Sequence, residues 1–222
     1  VLLDAAVRPV LAGRTVIQMG TIGVEESRAL ARAVGAAGAD YLEAPVLGST
    51  PQAQAGELIV MAGGAPSLYA RWQPLLGILG TGPRLVGPAG AGAAMKLAMN
   101  QLIAGLTASF SASLGLVRGE GLDVATFMEV LRASALHAPT FDRKLPRMLA
   151  GDWGDPNFPT AHLAKDVRLF LAAAAPHGLA TAPLAAIGAL LDRAAARHRV
   201  PTDYAALYAE IDPRAGAGSP VR

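Results

Sequence analysis

Along the first ninety residues, short apolar runs alternate with stretches of helical spacing. Thr15–Met19 (TVIQM) predicts a short buried strand, with Gly20-Thr21-Ile22-Gly23 turning after it. A helix is expected near Val24–Ala37, with Glu25 and Glu26 in its first turn, where the helix dipole favours acids. Gly38 ends that helix. Asp40–Val46 (DYLEAPV) reads as a strand and Gly48–Gly56 as a Gly/Pro/Ser/Gln loop. Leu58–Ala62 reads as another buried strand, closed by Gly63-Gly64. A helix from Pro66 to about Leu79 and a last short strand, Arg84–Val86, complete this part. Strands alternating with helices predict an α/β layer, and continuous apolar runs predict strands covered on both faces.

After Gly87 the pattern is helical. Ala91 to about Val117 reads as one long helix, apolar on nearly every face and therefore expected to be buried all round. Asp123 is the expected N-cap of Val124–Ala135. Further helices are expected over Asp166–Ala174 (continuing the segment that holds Lys165), Pro183–His198 and Asp203–Ile211. The Gly/Pro/Ser-rich tail Pro213–Arg222 is expected to be disordered. The expected division is an α/β piece over 1–88, an all-helical unit over 89–212 built on the long central helix, and the tail 213–222.

Composition narrows the function classes. With 52% hydrophobic and 16% charged residues in 222, a sizeable core is expected. The net charge of +2 is a weak basic excess carried by scattered arginines, which argues against nucleic acid. The absence of cysteine excludes disulfides and thiolate metal sites. His137, His162, His177 and His198 have no metal-ligand spacing, so no metal is expected. The apolar stretch Leu102–Val117 is short of a membrane span and carries Thr107 and three serines, so no membrane partner is expected. A cytoplasmic location is the expectation.

Sixteen arginines stand against three lysines: Lys96, Lys144 and Lys165. A lysine can give and take a proton where a guanidinium cannot. Lys96 and Asn100 are four apart, so on a helix they share one face. By spacing alone a snorkelling lysine and a capping amide fit equally well. Lys165-Asp166 alone reads as a surface pair. Gly48 and Ser49, after a strand, offer backbone N–H groups and a hydroxyl that suit a carboxylate. Thr21, after the first strand, could touch a cofactor or cap the following helix.

Four ordered segments resemble the β-hydroxyacid dehydrogenase family. EAPVLGSTPQAQAGELIVMAGG (Glu43–Gly64) is similar to the family's substrate segment DAPVSGG…GTL…MVGG. GAGAAMKLAMNQ resembles its catalytic-lysine helix, FPTAHLAKDVRLF its F…KDL segment, and GTI its STI. The resemblance implies the C-terminal part of a Rossmann-like domain followed by the all-α domain, with NAD or NADP as cofactor. It implies a small 3-hydroxy acid, or the matching semialdehyde or keto acid, as substrate, and a homodimer or higher homo-oligomer. On it, Lys96 is the general acid/base and Asn100 holds substrate and lysine. Leu47, Gly48 and Ser49 line the substrate carboxylate position, and Thr21 and Lys165 contact the cofactor. Leu47 departs from the family's serine, and Met99 from the first of two asparagines. The family's opening GxGxxG unit lies outside this sequence, which reads as the later part of a longer enzyme. An imine reductase-like enzyme and a non-catalytic oligomerisation module are the alternatives; Lys96 argues against the first, which Leu47 keeps open, and Lys96 with Lys165 argues against the second.

Overall fold

A parallel pair of strands, β1 (Thr15–Gln18) and β2 (Asp40–Glu43), opens the fold around the crossover helix α1 (Val24–Ala36). The computed structural model describes residues 8–198 and 200–215. β1 and β2 pair in register from Thr15 opposite Asp40 to Gln18 opposite Glu43. Past Glu43 the backbone changes neighbour. Ala44 N–H still donates to Gln18, but Pro45 has no N–H for the ladder, and its carbonyl accepts from Met61. The single strand expected over Asp40–Val46 is therefore two. The second, β3 (Val46–Leu47), runs antiparallel to β4 (Ile59–Gly63). β4 also pairs antiparallel with β2 through Glu43 and Gly63, and parallel with β5 (Arg84–Gly87), with α3 (Pro66–Leu79) as the crossover. The order is β1-β2-β4-β3, with β5 on β4.

The loop expected over Gly48–Gly56 holds a helix, α2 (Thr50–Ala55). Ser49 starts it, Pro51 sits in its first turn where a missing N–H costs nothing, and Gly56 ends it at φ 67°. Turn-forming residues and helix-capping residues are the same types, so composition alone misread this segment.

Leu42, Ala44, Val60, Ala62 and Leu76 form a closed core between the sheet and α3. A second cluster, Leu11, Val34, Ala39 and Tyr41, seals α1 against the sheet. Fully burying a leucine such as Leu42 stabilises by roughly 1.5–3 kcal/mol.

The long helix α4 spans 29 residues, Ala91–Gly119. It is not buried all round. Leu97, Ala104, Phe110 and Leu114 face inward, while Met95, Met99, Leu102, Leu106 and Leu116 remain exposed on its other side. By length and composition it could cross a membrane, which the apolar run Leu102–Val117 alone did not suggest. Then come α5 (Val124–Ala133), α6 (Pro139–Ala150), α7 (Thr160–Ala174), α8 (Ala182–Ala196) and α9 (Leu207–Ile211). Asp123 caps α5 by accepting from Thr126 N–H at 2.8 Å, as expected. α6 is absent from the sequence expectations: Pro139 starts it, but Pro146 lies inside it and masks the pattern.

The described residues divide into two compact units. One lies within Val1–Met99 and Leu169–Leu179, the other within Asn100–Arg168 and Ala180–Arg222. By contacts the division falls between Met99 and Asn100 of α4, and the end of α7 belongs to the first unit. The second unit is centred on Phe110, Leu114, Met128, Phe141, Met148 and Tyr208. Phe110 stacks on Phe141 with centroids 4.6 Å apart. The start of the expected disordered tail is held: Arg214 donates to the Gly115 carbonyl at 2.7 Å and pairs with Asp212, and Ala215 is buried. The rest of that call, 216–222, lies outside the described residues.

Candidate functional site

Lys96 is half-buried on the second turn of α4, and Asn100 follows one turn later, 1% exposed. The i, i+4 spacing puts both on one stripe of the helix. In the second unit Asn100 Nδ2 donates to Asp166 Oδ2 of α7 at 2.6 Å. A carboxylate only accepts, so this bond fixes the amide's orientation. Asn100 Oδ1 is then left buried with no hydrogen-bond partner among the described residues. A buried amide oxygen in that state is an acceptor awaiting a donor.

Asp166 is 2% exposed and also receives Lys165, whose ammonium lies 2.9 Å from Oδ1. The pair reads from sequence as a surface couple. In the structure only Lys165 reaches solvent, and Asp166 points inward to organise Asn100. Asp166 is thus a site residue that the sequence expectations omit. The signal was there: residue 166 falls on the apolar side of α7, with Leu163 and Val167 both fully buried.

Thr21 is half-buried in the loop leaving β1, beyond the carboxyl end of a parallel strand. That is where open α/β sheets hold ligands. A cleft of about 490 Å³ in the first unit is lined by Gly23 and Val24 after this loop, by Ala94 and Leu97 of α4, and by Leu169 and Phe170 of α7. Thr21, two residues before Gly23, brings a hydroxyl to the same unit as this cleft.

Leu47 is half-buried on β3 opposite Ile59 and offers no polar atom beyond its backbone. Gly48 has φ 129°, a region open to glycine, and a Cβ there would lie 2.7 Å from Leu58 Cδ2. Ser49 is more committed than expected. Its N–H and its hydroxyl both donate to Gln52 Oε1, at 3.0 and 2.9 Å. A carboxylate arriving here would have to draw Ser49 away from Gln52. Lys144, given no role by the sequence, makes a buried pair with Asp203 in the second unit, both contacts 2.7 Å. Burial holds its ammonium pKa below the ordinary lysine value, with Asp203 opposing. Among the described residues no group of acidic and histidine side chains is placed to hold a metal.

Comparison with known proteins shows the family. Residues 90–211 match the family described as NAD-binding of NADP-dependent 3-hydroxyisobutyrate dehydrogenase, and residues 2–90 the NAD binding domain of 6-phosphogluconate dehydrogenase. A glyoxylate/succinic semialdehyde reductase of Arabidopsis thaliana is 34% identical over 168 residues, covering 76% of this chain and 47% of its own length. The 2-hydroxy-3-oxopropionate reductase of Escherichia coli is 30% identical over 203 residues, covering 91% and 69%. A solved Mycobacterium tuberculosis 3-hydroxyisobutyrate dehydrogenase, described with L-serine, has a TM-score of 0.79 at 25% identity, covering 87% of this chain and 68% of that one. The chain spans about half the length of several curated relatives it matches.

Proposed function

Because the chain belongs to the β-hydroxyacid dehydrogenase family, we propose that the protein carrying it is an NAD(P)-dependent oxidoreductase. Its substrate is a small 3-hydroxy acid or the matching semialdehyde or keto acid. The observation that carries the reading is the stripe of Lys96 and Asn100 on α4, with Asn100 oriented by a buried carboxylate.

When bound, NAD(P) supplies or accepts the hydride. The chain's own residues manage the proton and the geometry. In the reductive direction the Lys96 ammonium donates to the carbonyl oxygen as it gains charge. In the oxidative direction the neutral amine takes the hydroxyl proton. Asn100 is oriented by its N–H bond to Asp166, so its Oδ1 acts as an acceptor, for the substrate hydroxyl or for the ammonium. Asp166 keeps that amide from flipping and holds Lys165 beside the same turn of α7. Lys165 and Thr21 contact the cofactor. Gly48 leaves room for the substrate's carboxylate end. Leu47, in place of the family's serine, makes that end less polar and selects for substrates that rely less on a hydroxyl partner there.

The test is Lys96→Arg in the full-length enzyme, assayed with small semialdehydes and both reduced cofactors. Arginine keeps the charge but does not release the proton, so kcat should fall by about a hundredfold or more with cofactor affinity little changed. Near-normal turnover would overturn the reading.

The same reading includes a homodimer built on the exposed stripe of α4. Its supports are the run Met95, Met99, Leu102, Leu106 and Leu116, with Leu116 66% exposed, and the frequency of two-fold homo-oligomers. The other side of α4 carries polar ties to protein: Asn100 to Asp166, and Arg118 to Tyr208 at 3.1 Å. These favour protein rather than lipid as the partner of the exposed side. Light scattering should give a dimer, and Leu102→Glu should shift it to monomer; a parent enzyme that is monomeric at micromolar concentration would rule this out.

A further inference from the structure

The geometry points to Glu43 as a positioning residue for Lys96: its buried carboxylate locks the first turn of α4. This inference rests on the acid/base role proposed for Lys96. Every group in it belongs to the first unit.

Glu43 ends β2 and is 2% exposed. Its Oε1 accepts from Gly92 N–H at 2.6 Å. Its Oε2 accepts from the Ser27 hydroxyl of α1, and Ser27 Oγ lies 2.9 Å from Tyr41 OH, which donates in turn. One carboxylate therefore ties β2, α1 and α4 together. Gly92 is the second residue of α4, where backbone N–H groups lack partners within the helix and the dipole favours an anion.

Two glycines make the path. Gly63 faces Glu43 across the β2–β4 pair, and a Cβ on it would collide with the carboxylate. A Cβ on Gly92 would lie 2.7 Å from the Met61 carbonyl and 3.1 Å from Glu43 Oε1. The first glycine of the MAGG segment and the second glycine of GAGAAMK are thus both shaped around this side chain.

Burying a carboxylate costs free energy that an apolar residue of similar size would not. What the carboxylate adds is directionality. It fixes the rotation and height of α4 at one backbone N–H. Gly92 and Lys96 are spaced i, i+4 and lie on one stripe. Lys96 stands ~6 Å along the axis from the held N–H, by a rise of ~1.5 Å per residue. The stripe is anchored before Lys96 by Glu43. Displacement of a catalytic group by about 1 Å costs on the order of a hundredfold in rate, so a carboxylate that sets this helix sets the proton donor.

The experiment compares Glu43→Ala, Glu43→Gln and Glu43→Asp in the full-length enzyme, with kcat expressed per cofactor-binding site. Glu43→Ala should lower kcat about tenfold or more, with KM within about threefold. Glu43→Gln keeps an oxygen for Gly92 N–H and should recover kcat to within about fivefold of the parent. Glu43→Asp, one methylene short, keeps the charge, loses the reach and should fall with Ala; it carries the test if Glu43→Ala does not fold. A kcat within twofold of the parent in Ala or Asp overturns the inference, as does Gln falling as far as Ala. Lys96→Arg separates the two claims. If it keeps full turnover, the reading of the site fails. If it loses turnover while the Glu43 variants keep theirs, only the positioning role fails.

Discussion

Asn100 donates its amide N–H to Asp166 at 2.6 Å and leaves its own carbonyl oxygen buried without a partner. One of its two N–H donors is committed to Asp166, which fixes the way the amide faces. Asp166→Ala removes the lock, so the amide can turn either way. A hydrogen bond to a charged group contributes about 1.5–3 kcal/mol, which predicts a loss of roughly tenfold to a hundredfold in kcat/KM. Steady-state kinetics on the full-length enzyme measure it. Unchanged kcat/KM would mean that Asn100 is held by something other than Asp166.

Leu47 governs selectivity if it faces the carboxylate end of the substrate. Leu47→Ser adds a hydroxyl beside Gly48 and should raise kcat/KM for small 3-hydroxy acids about tenfold relative to neutral alcohols of the same size, again from one charged hydrogen bond. A substrate panel reads the ratio. No change in relative preference would remove Leu47 from the pocket.

Lys144 and Asp203 are a stability element. The Asp203 side chain is fully buried, the Lys144 side chain is 10% exposed, and the ammonium lies 4.2 Å from the centre of the Tyr204 ring. Lys144→Met strands a buried carboxylate, which should destabilise by about 3–5 kcal/mol. Urea unfolding at neutral pH measures this. A loss under about 1 kcal/mol would show that Asp203 finds other donors.

Acid should weaken the helical unit. Arg132, and then His137, donate to Asp142 and hold its carboxyl below the ordinary value of 3.8. The N–H and hydroxyl of Thr126 do the same for Asp123. Both folded pKa values are depressed, so the unfolded chain takes up these protons first. Their stabilisation is present above about pH 4 and is lost as pH falls through each folded value. The melting temperature should therefore drop below about pH 4, and Asp142→Asn should flatten part of that drop. An identical acid slope in Asp142→Asn would exclude this carboxylate as a contributor.

Much of the layout was legible in the sequence because it depends on local rules. α3 begins at Pro66 and ends at Leu79 as the apolar spacing and Pro/Gly punctuation predict, and Asp123 caps α5 as its position predicts. Lys96 and Asn100 share a stripe by helical geometry alone. α2 and α6 were lost where the local signal is double-edged. Ser49-Thr50-Pro51 opens a turn or a helix equally well, and Pro146 inside a pattern normally argues against one.

The sequence by itself determined the alternation of strands and helices, the long central helix and the residue types of the site, since each follows from neighbours a few positions apart. Only the tertiary structure decided which face of α4 is covered, because that depends on what packs against it. It also decided that Asp166 points inward and Lys165 outward, and that Ser49 is already bonded to Gln52. Above all it decided that Glu43 reaches Gly92, 49 positions away, through space left by Gly63. A carboxylate at the end of a strand looks the same in sequence whether it meets water or a helix. The difference lies in which backbone N–H the fold delivers to it.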